Sequence, residues 1–190
     1  MLNLRNLDQL LKENLKDKIV FIRVDLNVPI RDNIVLDDTR IERITPTINE
    51  LLDKGSKICL LSHFGRPDGT NNKEFSLSKI ITSLEKHLKK DILFIENSFE
   101  DNVKNKIQSS SIDEIILYEN TRFHDGEEKN DKDLAMKVAQ NGDYFVNDAF
   151  SVSHRSHVST VHVNYPIEGE RVFFARVDFC KTGIDIYYYY

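Results

Sequence analysis

Cysteine is scarce: two in 190 residues, Cys59 and Cys180, far apart in the chain. So thin a supply suggests neither a disulfide framework nor a paired-cysteine metal site. Cys59 lies in the apolar run Ile58-Cys59-Leu60-Leu61, where a small thiol is expected to pack as core. Long hydrophobic runs are missing too. No stretch approaches the ~20 apolar residues of a membrane-crossing helix. The segment from Met1 to Lys18 is too polar and too acidic for a signal peptide. A cytoplasmic protein is therefore expected, with no membrane partner. Nor is there a basic excess. The formal net charge of −5 argues against nucleic acid as a partner, although it leaves room for a local basic pocket. Finally, neither G-x-x-x-x-G-K-[ST] nor G-x-G-x-x-G occurs, so the chain carries no recognisable nucleotide grip.

What is present fits one domain with a real core: 40% hydrophobic and 30% charged residues over this length. Short apolar runs rich in Ile, Val and Phe read as buried strands at 18–24, 57–61, 92–95, 114–117 and 144–146. Between them, apolar residues recur at helical spacing. Ile41, Ile44, Ile48, Leu51 and Leu52 form one face, stopped by Gly55. Leu77, Ile80, Ile81, Leu84 and Leu88 form a second; Leu134, Val138 and nearby alanines form a third, ended at Gly142. Residues 102–108 give a weaker fourth. Strands alternating with helices predict an α/β fold: a Rossmann-like three-layer parallel sheet with helices on both faces, in a single domain. From about Ile167 the alternation stops. Residues 1–166 are expected to form the domain, and 167–190 a divergent tail. Val172-Phe173-Phe174 and Val177-Asp178-Phe179 could be extended pieces, with no place assigned in the sheet.

Open parallel sheets bind ligands beyond the carboxyl ends of their strands. There the chain carries Asp25-Leu26-Asn27-Val28-Pro29, then Ser62-His63-Phe64-Gly65-Arg66-Pro67, then Glu119-Asn120-Thr121-Arg122-Phe123-His124. Asn147-Asp148-Ala149-Phe150 and Ser153-His154-Arg155-Ser156-His157 follow the last strand. Topology would gather Arg66, Arg122 and Arg155 on one edge, with His63 beside them. An acidic protein that collects guanidiniums in one place is expected to hold an anion there, and their planar fork suits phosphate and carboxylate.

Arg40, in Asp37-Asp38-Thr39-Arg40-Ile41, sits where Asp38 or Thr39 would cap a helix. A cation in a first helical turn opposes the helix dipole, the kind of local conflict expected at a functional site. The competing reading is that Arg40 pairs with Asp37 or Asp38. Asp25 and Asn27 could equally be turn residues, and Asp148 a loop hydrogen-bonding residue. His154, His157 and His162 match no zinc spacing, so no metal site is expected.

Four of these segments, in order over residues 4 to 161, resemble phosphoglycerate kinases: Arg23-Val24-Asp25-Leu26-Asn27-Val28-Pro29, Ser62 to Pro67 (with Phe64 where Leu is more usual), Glu119 to His124, and Asn147 to Phe150 with His154 to His157. The resemblance implies reversible phosphoryl transfer between Mg-ATP and the carboxylate of 3-phosphoglycerate, giving 1,3-bisphosphoglycerate and Mg-ADP. It implies that Asp25 and Asn27 bind the glycerate, that His63, Arg66, Arg122 and Arg155 hold its phosphate, and that Arg40 faces the carboxylate and the group in flight. That family has a second, C-terminal domain for Mg-ATP, and nothing here matches it. The chain is thus expected to be the phosphoglycerate-binding half, a monomer without a nucleotide site and inactive alone. The alternative is a non-catalytic anion-binding module or an inactive remnant.

Overall fold

The computed structural model describes residues 5–98, 100, 103–152, 155–160 and 173–175. The chain enters through β1 (Arg5–Asn6) and α1 (Leu7–Leu10) and runs into β2 (Ile19–Val24). A hairpin of β3 (Ile30–Arg31) and β4 (Ile34–Val35) leads to α2 (Thr39–Leu52). Then come β5 (Lys57–Leu61), α3 (Ile81–Leu88), β6 (Asp91–Ile95), α4 (Val103–Ser109) and β7 (Glu114–Tyr118). After these follow α5 (Asp125–Glu128), α6 (Lys132–Ala139), β8 (Tyr144–Asp148) and β9 (Phe173–Ala175).

Seven strands form one sheet in the order β1-β9-β8-β2-β5-β7-β6, and every pairing in it is parallel. Side chains alternate across a strand, and the apolar ones here divide accordingly. Val20, Ile22 and Val24 of β2, with Ile58 and Leu60 of β5, join Ile41, Ile44, Ile48 and Leu51 of α2 and Leu84 and Leu88 of α3. Ile19 and Phe21 of β2, with Cys59 and Leu61 of β5, join Val103 and Ile107 of α4 and Ala135 and Val138 of α6. Two cores on opposite sides of one parallel sheet make the three-layer α/β arrangement read from the sequence. Cys59 is fully buried, and burial pushes its thiol pKa well up.

Several details differ from the sequence reading. The face from Leu77 to Leu88 is two pieces, a 3-10 turn at Leu77–Ile80 running into α3. The hairpin was not anticipated; Asp32 and Asn33 at its tip both take positive φ (50° and 61°), the pattern of a two-residue I′ turn. Phe173–Ala175 pairs between β8 and β1, which gives a place in the sheet to part of a segment left unplaced by sequence. Cys180, His154, His162 and the candidate extended piece Val177-Asp178-Phe179 lie outside the described residues.

Candidate functional site

The strand order reverses at β2. From β2 the chain crosses to β5 on one side, and β8 later returns to pair with β2 on the other. A crevice outside the carboxyl ends is the expected ligand position at such a switch. The loops after β2, β5, β7 and β8 all open there.

A continuous run of polar contacts joins the first three. Asp25 Oδ2 forms an ion pair with Arg40 Nη1 at the start of α2, and it also accepts from the Ser151 hydroxyl beyond β8. Its other oxygen accepts the backbone N–H of Asn27 at 3.1 Å. Asn27 Oδ1 accepts the Gly65 N–H at 3.0 Å, and the Gly65 carbonyl accepts from Arg122 Nη1 at 2.8 Å. Arg40, Asp25, Asn27, Gly65 and Arg122 are thus linked end to end. Asp25 and Asn27 do shape their turn, and they reach neighbouring elements as well.

Arg40 does not pair with its sequence neighbours. Asp37 Oδ1 instead accepts the Thr39 N–H at 2.9 Å. Asp38 occupies the cap position without capping through its side chain; its carboxylate takes His87 Nε2 at 2.6 Å and lies 3.8 Å from Lys86 Nζ. With both neighbours engaged, the exposed Arg40 guanidinium is directed to Asp25. Asp38, Glu42 and His87 bring potential ligand atoms within 4.8 Å of one another. The short Asp38–His87 contact and the adjacent lysine make that group a solvated ion-pair cluster at a helix start.

The other cations gather around His63, which is 6% exposed. Burial above all, then the charges of Arg23, Arg122 and Arg155 and the nearby His157, hold its pKa down to about 2. Burial also lowers the pKa of Arg122, helped by Arg155 and Arg66 and opposed by Glu128 and Glu127. These mutual influences put Arg66, Arg122, Arg155 and His63 in one electrostatic neighbourhood. Arg66 is exposed and Arg155 half-buried. Arg155 Nε is buried and has no hydrogen-bond partner among the described residues. Arg122 Nε lies 2.9 Å from Glu128 Oε1. Grouped cations with unsatisfied N–H donors are chemically suited to a phosphate ester or a carboxylate. Asp148 has a different duty: its Oδ2 accepts from the Thr47 hydroxyl at 2.7 Å, tying β8 to α2.

Sequence reasoning missed the groups that hold this edge together. Asn120, fully buried, bonds Phe64, Phe75 and Arg122 through their backbones. Glu127, 1% exposed, accepts from the backbone N–H and hydroxyl of Ser159. Arg23 is 1% exposed within β2. A charged residue inside an apolar strand run was a usable signal, since a buried charge demands partners. A neighbouring cavity of about 380 Å³ is lined by Asn27, Val28, Phe64, Gly65, Phe75 and Lys79 among others. Of the residues proposed from sequence, only Asn27 borders it.

Fold and site together define a doubly wound α/β domain with a cationic, anion-accepting edge at its strand reversal. The family model for phosphoglycerate kinase matches residues 8–172. Curated phosphoglycerate kinases from Rhizobium meliloti and Brucella melitensis are 47% and 49% identical over 169 and 174 residues, which is 88% and 90% of this chain. Among solved structures, the phosphoglycerate kinase of Coxiella burnetii superposes with a TM-score of 0.73 at 35% identity, over 86% of this chain and 40% of that one. That of Pyrococcus horikoshii does so with 0.75 at 29% identity, over 90% and 42%. The chain belongs to the phosphoglycerate kinase family. It spans less than half the length of these relatives, 42% and 44% of the two curated ones.

Proposed function

We propose that this chain is the phosphoglycerate-binding half of a phosphoglycerate kinase. In this reading Arg66, Arg122, Arg155 and His63 take the phosphate of 3-phosphoglycerate or 1,3-bisphosphoglycerate, and Asp25 and Asn27 take the glycerate hydroxyl region. Arg40 takes the carboxylate, the oxygen of which attacks the γ-phosphorus of ATP and becomes the acyl phosphate as ADP leaves. Catalysis of that kind rests on positioning and charge neutralisation. The observation that carries the reading is the linked run from Arg40 through Asp25, Asn27 and Gly65 to Arg122. It spaces one cation from the phosphate cluster by polar groups, as a ligand with an anion at each end requires.

Mg-ATP is the co-substrate that family membership brings. We place its site outside these 190 residues, which offer no phosphate loop. Without a held nucleotide the chain loses the advantage of co-positioned reactants, an effect of roughly 7–11 kcal/mol, and is inactive alone. Residues 1–166 constitute the acceptor domain in this proposal, and 167–190 are a tail of divergent sequence from which Phe173–Ala175 joins the domain's sheet. A monomeric cytoplasmic protein is the corresponding state. Among the described residues no helix is long and apolar enough to cross a membrane.

Calorimetric titration of the chain with 3-phosphoglycerate tests the reading. Saturable binding, weakened by both Arg122→Ala and Arg40→Ala, is expected. No binding by a chain with a cooperative melt would overturn it. A coupled assay with added Mg-ATP should show no turnover, and turnover like that of a full-length kinase would overturn the assignment of an absent nucleotide site.

A further inference from the structure

Arg23 is the least expected charge in the domain. It stands in β2, 1% exposed, between Ile22 and Val24, which are fully buried. Its Nη1 donates to the carbonyls of Val24 at 2.8 Å and Leu61 at 3.3 Å, and its Nη2 lies 3.0 Å from His63 Nδ1. Its Nε has no hydrogen-bond partner among the described residues. No carboxylate among the described residues is in ion-pair contact with it; Glu127 acts from farther off and is itself engaged by Ser159. An apolar side chain would fill this position in a buried strand without the desolvation penalty, so the guanidinium calls for a reason beyond packing.

The contact with His63 supplies one. A guanidinium only donates. His63 Nδ1 must therefore offer its lone pair, and the ring proton must sit on Nε2. We infer that Arg23 is a positioning residue that holds His63 as the neutral Nε2–H tautomer, presenting a fixed donor to the substrate phosphate among Arg66, Arg122 and Arg155. The inference rests on the function proposed above for the ligand, but the tautomer is a property of the free chain. A carboxylate behind the ring would have favoured an imidazolium. A guanidinium behind it forbids one and still fixes the ring. The cluster thereby gains a directional neutral donor without another positive charge to crowd its arginines. The bland alternative is that Arg23 only ties β2 to β5 through the two carbonyls.

Long-range proton–nitrogen spectra of the 15N-labelled full chain decide between these, with His63 assigned by comparison with His63→Gln. A protonated Nε2 and a bare Nδ1 are expected at neutral pH. A protonated Nδ1, or an exchanging mixture, would overturn the inference. Arg23→Met should release the tautomer and weaken 3-phosphoglycerate binding about tenfold, the size of one hydrogen bond to a charged group. Arg23→Lys, which still donates, should keep Nε2–H and recover most of the affinity. Arg23→Met that retains the tautomer, or Arg23→Lys that folds but loses it, counts against the idea. If Arg23→Met does not fold, the wild-type and Arg23→Lys spectra decide the matter. A wild-type chain that shows the tautomer yet binds no 3-phosphoglycerate sinks the proposed function and leaves the positioning role standing.

Discussion

The Asn120 carboxamide pairs with the backbone of Phe64 in both directions: Oδ1 accepts the Phe64 N–H at 3.1 Å, and Nδ2 donates to the Phe64 carbonyl at 2.6 Å. The same side chain donates to the Phe75 carbonyl at 2.9 Å and accepts the Arg122 N–H at 3.1 Å. One residue after β7 thus fixes the loop after β5 and the turn that carries Arg122. Asn120→Ala leaves these backbone groups unpaired inside the protein. A loss of about 2–4 kcal/mol is expected, read as a lowered urea midpoint. A loss under about 0.5 kcal/mol, the size of an ordinary surface change, would show that the loop holds its shape without Asn120.

Gly65 has a second, steric constraint. Its φ is +61°, and a Cβ there would come within 2.3 Å of the Phe75 ring. Both of its backbone polar groups belong to the linked run, through Asn27 and Arg122. Gly65→Ala must displace Phe75 and strain the backbone. A cost of roughly 2–3 kcal/mol follows, together with weaker 3-phosphoglycerate binding, since the carbonyl that orients Arg122 shifts. Denaturation and calorimetry on the same variant check both. Unchanged affinity with lowered stability would separate Gly65 from the site.

Much of this edge was legible because strands and loops announce themselves differently. β5 falls at Lys57–Leu61, the span its apolar run predicts, since polar neighbours bound it on both sides. The four loop motifs lie at strand ends because a parallel sheet puts every second connection on one edge. What stayed hidden depends on distance in the chain. Nothing local in Phe173–Ala175 says that it pairs with Phe145–Asn147. The partner of Arg40 is Asp25, fifteen residues away, whereas local chemistry points to Asp37 and Asp38. Arg23 was absorbed into an apolar strand, although its charge marked it as needing partners there.

Stability should depend on pH through the histidines. Burial and neighbouring cations hold the pKa of His63 at about 2, and burial holds that of His124 at about 4. Both lie below the ordinary value of about 6.5. The unfolded chain therefore takes up protons that the folded chain refuses. Stability from this source is whole above about pH 6.5 and declines as pH falls through the range below it. For His63 alone the loss by pH 5 is roughly 2 kcal/mol. Urea midpoints between pH 7.5 and 5 should fall less steeply for His63→Gln than for the wild type. Parallel profiles would mean that His63 takes up its proton in the folded chain.

Glu128 sits against the cluster as a competitor. Arg122 gives Nη1 to the Gly65 carbonyl and lies with Nε 2.9 Å from Glu128 Oε1. The Glu128 side chain is 49% exposed while that of Arg122 is 6% exposed, so the pair is screened on one side only. An incoming phosphate must displace this carboxylate or share the arginine with it against like-charge repulsion. Glu128→Gln removes the repulsion and keeps a side chain of the same length. Affinity for 3-phosphoglycerate should rise about three- to tenfold, an energy of about 0.7–1.4 kcal/mol, and the gain should shrink as salt is raised. Folding stability should change by under about 1 kcal/mol, because Glu128 is half-exposed and a Gln there still accepts a hydrogen bond from the buried Arg122. Calorimetric titrations at low and high salt, with a urea melt of the same variant, read these effects. A fall in affinity would reverse the assignment: Glu128 would then be aligning Arg122 for the anion, and the carboxylate would belong to the site.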